Sequence, residues 1–291
     1  MNALIRLLRP HQWTKNVFCL AGLFFGERLG DWKATGQAIL ITVIFCVASS
    51  AVYILNDLKD VEHDRQHPEK CLRPLPQGQV SVPIAKSLAA ALTILSLLAG
   101  YFCGTVAWMC IASYFIVNVL YTFWLKGVVL LDVSCISLGF MLRLFAGVYA
   151  LQELPTPWII LCTGSLTLFL GFSKRRCELS MLDSTDRTYQ RPALRKYTIG
   201  FLDSMMDSSA TMAVMCYGLF TVTSGKNTTL VLTVPIVYYG VMRYNFLVRT
   251  GEAEEDPDKV LIRDRNIKLA GVLWLLSYLG ILYGHINIID K

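Results

Sequence analysis

The sequence predicts an all-α, polytopic membrane protein with about nine transmembrane helices, organised as one integral-membrane domain over residues 1–291. Of its 291 residues, 54% are hydrophobic and only 16% are charged, against roughly a quarter charged in soluble domains. The mean hydropathy is +0.49. So few charges could not cover a water-soluble globule. The apolar residues also fall in blocks of about 20, the length of helix that crosses a hydrocarbon core.

Eight blocks are long enough to span a bilayer. In chain order they cover residues 37–55, 83–103, 106–125, 128–151, 157–173, 204–224, 228–248 and 268–286. An earlier block, 17–25, is short. Because Arg6, Arg9 and Lys15 precede it, it could also belong to a signal peptide, but no small-x-small cleavage site follows. Trp13 suits an interface anchor, so we count this block as the first and weakest helix.

The basic residues indicate how the chain is oriented. With a cytoplasmic N-terminus, all but five of the 27 lysines and arginines fall in cytoplasmic segments or adjoining helix ends. The exceptions are Arg28, Lys33, Lys226 and Lys291 in outer connections and Arg143 inside a span. The positive-inside rule therefore predicts a multi-pass protein of the cell inner (plasma) membrane with its N-terminus in the cytoplasm. The net charge of +6 describes that face, and no DNA-binding motif accompanies it.

Three cytoplasmic segments, residues 56–82, 174–203 and 249–267, are long and charged, whereas the outer connections are short. Since functional residues concentrate on long loops held by a rigid scaffold, we expect the site on the cytoplasmic face. In the last segment, Asp256 and Pro257 suit the N-cap and first position of a helix. We interpret the acids around them as a solvated turn. The nine cysteines form no C-x-x-C pair and are interpreted as small apolar residues.

The first long segment carries the sharpest motif. If the second helix continues past residue 55, then Asn56, Asp60 and Asp64 stand at i, i+4 and i+8 on one face. Stacked carboxylates repel unless a cation lies among them, and Mg²⁺ favours one or two carboxylates completed by water and phosphate oxygens. Asp57, offset by about 100°, could be a further ligand. The alternative is a solvated acidic helix end paired with basic neighbours such as Arg65.

Two cations follow the acidic face. Lys70 and Arg73 lie a short distance beyond it, where a diphosphate bridged by Mg²⁺ would need positive charge. Taken alone, they could simply mark the membrane interface.

Arg143 is expected to face a polar cavity, because an arginine deep in a span is costly. Its alternatives are snorkelling or a structural pair with Asp132. Lys15 and Asn16 could reach the same cavity or lie at the interface.

These motifs resemble the UbiA superfamily of intramembrane prenyltransferases, and most closely its decaprenyl-phosphate phosphoribosyltransferase branch. The resemblance runs over nearly the whole chain. Its motifs are Arg9-Pro10-x-Gln12-Trp13-x-Lys15-Asn16, Asn56-x-x-x-Asp60-x-x-x-Asp64, Asp64-Arg65-x-His67-Pro68-x-Lys70-x-x-Arg73-Pro74, Tyr121 to Lys126, Arg143, Lys174-Arg175-x-x-Glu178-Leu179, Arg243-Tyr244 and Arg263-Asp264-Arg265.

The resemblance implies a UbiA-like bundle with a cytoplasm-facing cavity and an Mg²⁺-dependent reaction. Polyprenyl phosphate would attack C1 of phosphoribosyl diphosphate and release diphosphate, giving a cell-wall lipid precursor. Its partners would be these substrates and membrane lipids, with no nucleic acid, and homo-oligomerisation stays open. The implied catalytic residues are Asn56, Asp60 and Asp64, with Asp57 as an added metal ligand. The implied substrate-binding residues are Lys15, Asn16, Arg65, Lys70, Arg73, Tyr121, Lys126, Arg143, Lys174, Arg175, Glu178, Arg243 and Arg263.

One departure from the wider superfamily favours this branch. Prenyltransferases of allylic diphosphates usually carry a second aspartate-rich motif where this chain has the basic run 173–179, and Asp183 and Asp186 come only after it. Extra cations suit a donor with a 5-phosphate, although the run could be an ordinary positive-inside flank. Two alternatives remain. One is a prenyltransferase joining an allylic diphosphate to an aromatic or polar acceptor. The other is an anion transporter, which would show inverted repeats and broken helices; we see no such repeat.

Overall fold

The computed structural model describes residues 3–66, 70–180, 193–251, 260, 263–284 and 286–289. Over these residues the chain is helical and contains no strand. The α-helices, in chain order, are α1 (Ala3–Leu8), α2 (Ala21–Phe25), α3 (Trp32–Arg65), α4 (Val82–Phe102), α5 (Thr105–Phe123), α6 (Leu131–Ala150), α7 (Pro157–Ser180), α8 (Ile199–Thr223), α9 (Val234–Thr250) and α10 (Arg265–Tyr283). The longer 3-10 helices are Pro10–Leu20 and Thr228–Thr233.

Seven helical segments among the described residues are long and apolar enough to cross a membrane. They are α3, α4, α5, α6, α7, the segment Thr228–Thr250 and α10. The predicted span 204–224 is helical as α8, 25 residues long, and carries Asp203, Asp207 and several hydroxyl side chains; it is not among the seven.

The expectation of a first spanning helix at 17–25 is not confirmed among the described residues. The chain there forms an 11-residue 3-10 helix followed by the five-residue α2. Runs of 3-10 helix beyond three or four residues are uncommon, and tertiary contacts hold this one. The indole nitrogen of Trp13 donates to Ser50 Oγ at 3.0 Å, and the Asn16 amide donates to Ser49 Oγ at 3.3 Å.

The chain divides into two compact units, of which the first comprises residues 1–126 and 138–155. Its core lies where α3 packs with α5 and α6, around side chains such as Phe45, Ile111 and Ala146. A second apolar cluster, which includes Leu7 of α1 and Ile54 of α3, packs α1 and α4 against the end of α3 that is predicted to face the cytoplasm. Helix α3 is therefore the central element of this unit.

The second unit comprises residues 127–137 and 156–291, so that α6 contributes its first seven residues here and the rest to the first unit. Its core is formed by α7, α8 and α9, around Phe169, Leu202, Met206 and Tyr244. Gly171 allows α7 to approach the start of α6 closely, because a Cβ at that position would lie 2.5 Å from a methyl carbon of Val133.

Candidate active site

Helix α3 continues without a break to Arg65, as the motif analysis required. Asp31 caps its first turn, accepting from the backbone N–H groups of Lys33 and Ala34 at 2.9 and 3.2 Å. A helix of 34 residues is about 51 Å long at 1.5 Å per residue, well beyond the roughly 30 Å of a hydrocarbon core. Its last turns, which carry the polar motif, can therefore project past the apolar layer.

Two carboxylates of the motif, Asp57 and Asp64, are buried and share one cation. Arg73 Nη1 lies 2.5 Å from Asp64 Oδ2 and 3.2 Å from Asp57 Oδ1. Arg9 forms a second ion pair with Asp57. The residue exposures of Asp57 and Asp64 are only 2% and 3%. Buried carboxylates need such compensation, and Arg73 and Arg9 supply it here.

The other two residues of the motif contact a different element. Lys126 Nζ, just beyond α5, lies 2.6 Å from Asp60 Oδ1, and the Thr122 hydroxyl donates to Asn56 Oδ1. The side chain of Asp60 is 39% exposed. Asp60 is therefore the most accessible carboxylate of the motif.

Asn56, Asp60 and Asp64 were expected to share one face of α3, but their side chains contact different partners. At 100° per residue, Asn56 and Asp64 are about 80° apart around the helix, whereas Asp57 and Asp64 are only about 20° apart. The i, i+7 relation of Asp57 and Asp64 thus brings them to the same arginine. Asn56 and Asp60 point toward α5 instead.

Arg9 is a residue of this site that sequence reasoning did not select. Its backbone is left-handed, with φ 53° and ψ 60°, a conformation that costs a non-glycine residue about 1–3 kcal/mol. This conformation accompanies the ion pair to Asp57 and a position 5.4 Å above the Tyr53 ring. Burial lowers the pKa of Arg9, and the charge of Asp57 opposes that shift. In the sequence, the place of Arg9 in the Arg9-Pro10 motif was the signal that could have indicated this role.

Arg143 is buried and contacts neutral groups. Its Nε donates to Asn16 Oδ1 at 2.7 Å, and its Nη2 donates to the Tyr114 hydroxyl at 2.9 Å. Nη1 donates to the carbonyl oxygen four residues earlier, at 2.7 Å. The guanidinium carbon also lies 4.6 to 5.7 Å from the ring centroids of Tyr114, Phe140 and Phe45. Arg143 therefore ties α6 to α5 and to the 3-10 helix through Asn16, which is itself fully buried.

The remaining predicted residues of the first unit are more dispersed. Lys15 Nζ donates to Gln12 Oε1 at 2.5 Å. Arg65 is exposed and pairs with Glu62 at 3.4 Å, away from the Arg73 cluster. Lys70 and Tyr121 are half-buried.

In the second unit, Arg175 lies at the centre of a buried polar cluster. Its Nε lies 2.7 Å from Asp132 Oδ2, and its Nη1 lies 2.6 Å from Glu178 Oε2. The Tyr197 hydroxyl donates to Asp132 Oδ1 at 2.7 Å. Burial raises the pKa of Tyr197, which keeps the phenol protonated. At 1% exposure, Arg175 is not part of a solvated flank. Asp132 pairs with Arg175, so the alternative pairing of Asp132 with Arg143 is wrong.

Arg243 ends in an ion pair with Asp264 at 2.9 Å. Asp264 also caps α10, accepting from the Ile267 backbone N–H at 2.8 Å. The hydrogen bond from Arg243 holds the pKa of Asp264 below its usual range. Arg263 is exposed and Lys174 is half-buried.

The residues present suit a magnesium ion in their chemistry. Carboxylate and amide oxygens are the hard donors that Mg²⁺ prefers, and one or two carboxylates suffice when phosphate oxygens and water complete its shell. Across the ranges the structure describes, no group of three or more His, Cys, Asp or Glu side chains is arranged as a ready metal site. Several acids and neighbours considered from the sequence lie outside those ranges: His67, Pro68, Glu69, Asp183, Asp186 and residues 252–258.

The fold and this site define an all-α, multi-pass membrane enzyme whose carboxylates are each paired with a cation near the end of one long helix. Residues 16–272 match the UbiA prenyltransferase family, and the chain belongs to this family.

Curated relatives cover almost the whole chain. It is 31% identical to decaprenyl-phosphate phosphoribosyltransferase of Mycolicibacterium smegmatis, over 94% of this chain and 91% of that protein. It is also 31% identical to decaprenyl-phosphate phosphoribosyltransferase of Corynebacterium glutamicum, over 97% of this chain and 87% of that one.

Solved structures confirm the fold. The chain is similar to a UbiA homolog from Archaeoglobus fulgidus bound to GPP and Mg²⁺, with a TM-score of 0.73 at 17% identity, over 97% of this chain and 99% of that one.

Proposed function

We propose that this chain transfers the 5-phosphoribosyl group from phosphoribosyl diphosphate to a polyprenyl phosphate and releases diphosphate. The observation that carries the proposal is the position of Arg73 between the carboxylates of Asp57 and Asp64. Carboxylates alternating with cations suit a diphosphate, which needs positive charge on both sides. The names of the relatives that cover over nine-tenths of the chain support the same substrates.

The reaction needs no nucleophilic side chain. A lipid phosphate is anionic at neutral pH, so one of its oxygens can form the new bond to C1 as the bond from C1 to the diphosphate oxygen breaks. The protein must hold two anions together and stabilise charge on the leaving group. In-line attack on the usual α donor inverts C1 and gives a β linkage. We therefore assign no residue as general acid or base.

The first unit supplies residues for the leaving group. Asp60, Asp64 and Asn56 would hold Mg²⁺, with Asp57 behind them. When bound, the ion neutralises charge that develops on the diphosphate. Arg73 and Lys126 contact these carboxylates at 2.5 and 2.6 Å, so both can exchange a carboxylate for a phosphate oxygen by small side-chain movements.

The second unit supplies further cations. Lys174 is half-buried and is proposed to contact a monophosphate. The Arg175 side chain is held by Asp132 and Glu178, so we propose that it contributes mainly charge and position. Arg243 and Arg263 are proposed to bind phosphate near Asp264, since Arg243 pairs with Asp264 and Arg263 directly precedes it in the sequence.

The proposed setting is the inner (plasma) membrane, with the site on the cytoplasmic face. The sequence asymmetry of basic residues supports this orientation. The lipid substrate would enter from the bilayer, and the diphosphate donor from the cytoplasm.

The test uses purified, detergent-solubilised protein with labelled phosphoribosyl diphosphate and a polyprenyl phosphate, with and without Mg²⁺. We expect metal-dependent transfer of label to the lipid phase and release of diphosphate. A parallel reaction replaces both substrates with an allylic diphosphate and an aromatic acceptor. Consumption of the allylic diphosphate without labelled lipid would instead support the prenyltransferase alternative. No reaction in either tube would contradict the assignment as a transferase and favour anion transport.

A further inference from the structure

An apolar groove lies on α3 and α4, with Phe115 of α5 at its side. On α3 it is lined by residues such as Ala51, Leu55 and Leu58, and on α4 by Ala90 and others. Both helices qualify as membrane spans. The groove encloses about 270 Å³, slightly less than the roughly 300–1,000 Å³ of pockets for drug-sized ligands. It therefore suits a narrow aliphatic chain.

The groove is separate from the polar motif. At 100° per residue, Ala51, Leu55 and Leu58 fall within about 60° of one another around α3. Asp60 lies about 180° from Ala51 on the same helix. The groove and the proposed binding site for the phosphates thus lie on opposite sides of α3.

One end of the groove is charged. Lys86, in the second turn of α4, is the charged residue of the lining. It is exposed, and within the described part of the chain no carboxylate lies at ion-pair distance from it. From Ala51 to Leu58 the groove runs about 10 Å along α3. A lysine near a helix end can extend its ammonium group to the headgroup level while its methylenes stay on the apolar surface.

We propose that this groove binds one acyl chain of an anionic membrane phospholipid, with Lys86 contacting the headgroup phosphate. The apolar lining explains binding of the acyl chain. The charge of Lys86, which has no carboxylate at ion-pair distance among the described residues, selects the headgroup. The site lies outside the proposed substrate site, so binding requires no turnover. Its expected consequence is stabilisation of the α3–α4 pair by anionic lipid.

The test measures lipid binding to the full chain in an uncharged detergent. Phosphatidylglycerol and phosphatidylcholine of equal chain length are titrated while thermal unfolding is followed by tryptophan fluorescence. We expect phosphatidylglycerol to raise the unfolding midpoint more than phosphatidylcholine. Lys86→Gln should weaken the apparent affinity for phosphatidylglycerol about fivefold, the effect of one basic residue near an anionic surface. It should leave the response to phosphatidylcholine unchanged.

Matched variants separate this site from general effects. Lys33→Gln removes an exposed lysine near the other end of α3 and should keep the full response. Ala90→Phe fills the groove and should weaken binding of both lipids, whereas Ala91→Phe, at an exposed neighbour outside the lining, should not. Equal responses to the two lipids, or an unchanged response in Lys86→Gln, would refute the site. If Lys86→Gln loses affinity for polyprenyl phosphate but not for phosphatidylglycerol, the groove belongs to the substrate instead.

Discussion

At the scale of single residues, each acid of the α3 motif is distinguished by its partner. Asp57 and Asp64 are buried and bound by arginine, whereas Asp60 is half-exposed and bound by Lys126. This difference in exposure makes Asp60 the carboxylate best placed to meet a ligand. Asp64 is held by Arg73, the cation that we propose binds the diphosphate.

We expect Asp60→Asn and Asp64→Asn each to lower kcat by at least about 100-fold, because loss of an outer metal partner alone costs up to that much. Transfer of labelled phosphoribose to lipid measures the effect. Asp31→Asn is the matched control on the same helix, since asparagine caps a helix about as well as aspartate. Substantial turnover in both motif variants would show that neither Asp60 nor Asp64 is needed to bind the metal.

Arg143 allows a test of contact with substrate against support of the fold. In Arg143→Met, the buried acceptors of Asn16 and Tyr114 lose their donor, at about 1–3 kcal/mol for each unpaired group. We therefore expect a clear fall in the thermal unfolding midpoint in detergent. An unchanged midpoint with a raised KM for phosphoribosyl diphosphate would show instead that Arg143 binds the substrate directly.

At the scale of elements, close backbone contacts hold the 3-10 helix Pro10–Leu20 in place. A Cβ at Gly147 on α6 would lie 1.9 Å from the Cys19 carbonyl oxygen and 2.8 Å from its Cα. Because these neighbours are backbone atoms, they cannot move aside by changing rotamer. The approach of α6 to the 3-10 helix thus depends on one glycine.

We expect Gly147→Ala to destabilise the protein by at least the roughly 1–3 kcal/mol typical of overpacked cores. Gly36→Ala is the control, since a Cβ there meets nothing within 4 Å and alanine in a helix gains about 0.5–1 kcal/mol over glycine. Thermal unfolding in detergent should therefore shift in opposite directions for the two variants. A shift of the same sign in both would contradict the close approach.

Asp264 joins two elements, since it caps α10 and pairs with Arg243 of α9. Asp264→Ala should cost about 1 kcal/mol, the usual value of a helix cap. Because the pKa of Asp264 is lowered in the folded protein, the stabilisation that its carboxylate provides should decrease at acid pH. The stabilisation is complete above the ordinary carboxylate pKa and is lost as pH falls through the lower folded value. Wild type and variant should therefore converge in unfolding midpoint at acid pH. A gap that widens on acidification would contradict this role.

At the scale of the whole molecule, the orientation in the membrane remains a prediction from charge. Gln77→Cys, in the segment between α3 and α4, should react with a membrane-impermeant thiol reagent added to inside-out vesicles. Gly30→Cys, before α3, should react with the same reagent when it is added to intact cells. Both positions are exposed. The parent chain, with its nine free cysteines, provides the background, and the reverse labelling pattern would invert the topology.

Much of the fold could be read from composition, because crossing a bilayer demands long apolar helices. That constraint is local, so all seven candidate spans coincide with predicted blocks, although α3 and α7 continue ten and seven residues beyond the predicted ends at 55 and 173. For the block 17–25, hydropathy did not indicate the 3-10 helix that the chain forms there, whose residues Trp13 and Asn16 hydrogen-bond to α3. The span 204–224 is helical, but its apolar character is weakened by polar residues.

The sequence by itself determined the membrane fold, the family and the polar motif, since each depends on residue type and spacing along one helix. Only the tertiary structure decided which partner each polar group takes. It showed that Arg73 joins Asp57 and Asp64, that Arg175 rather than Arg143 pairs with Asp132, and that Arg143 contacts Asn16. These contacts join residues up to 127 positions apart. Helical periodicity gives the direction of a side chain but not the distant segment that packs against it.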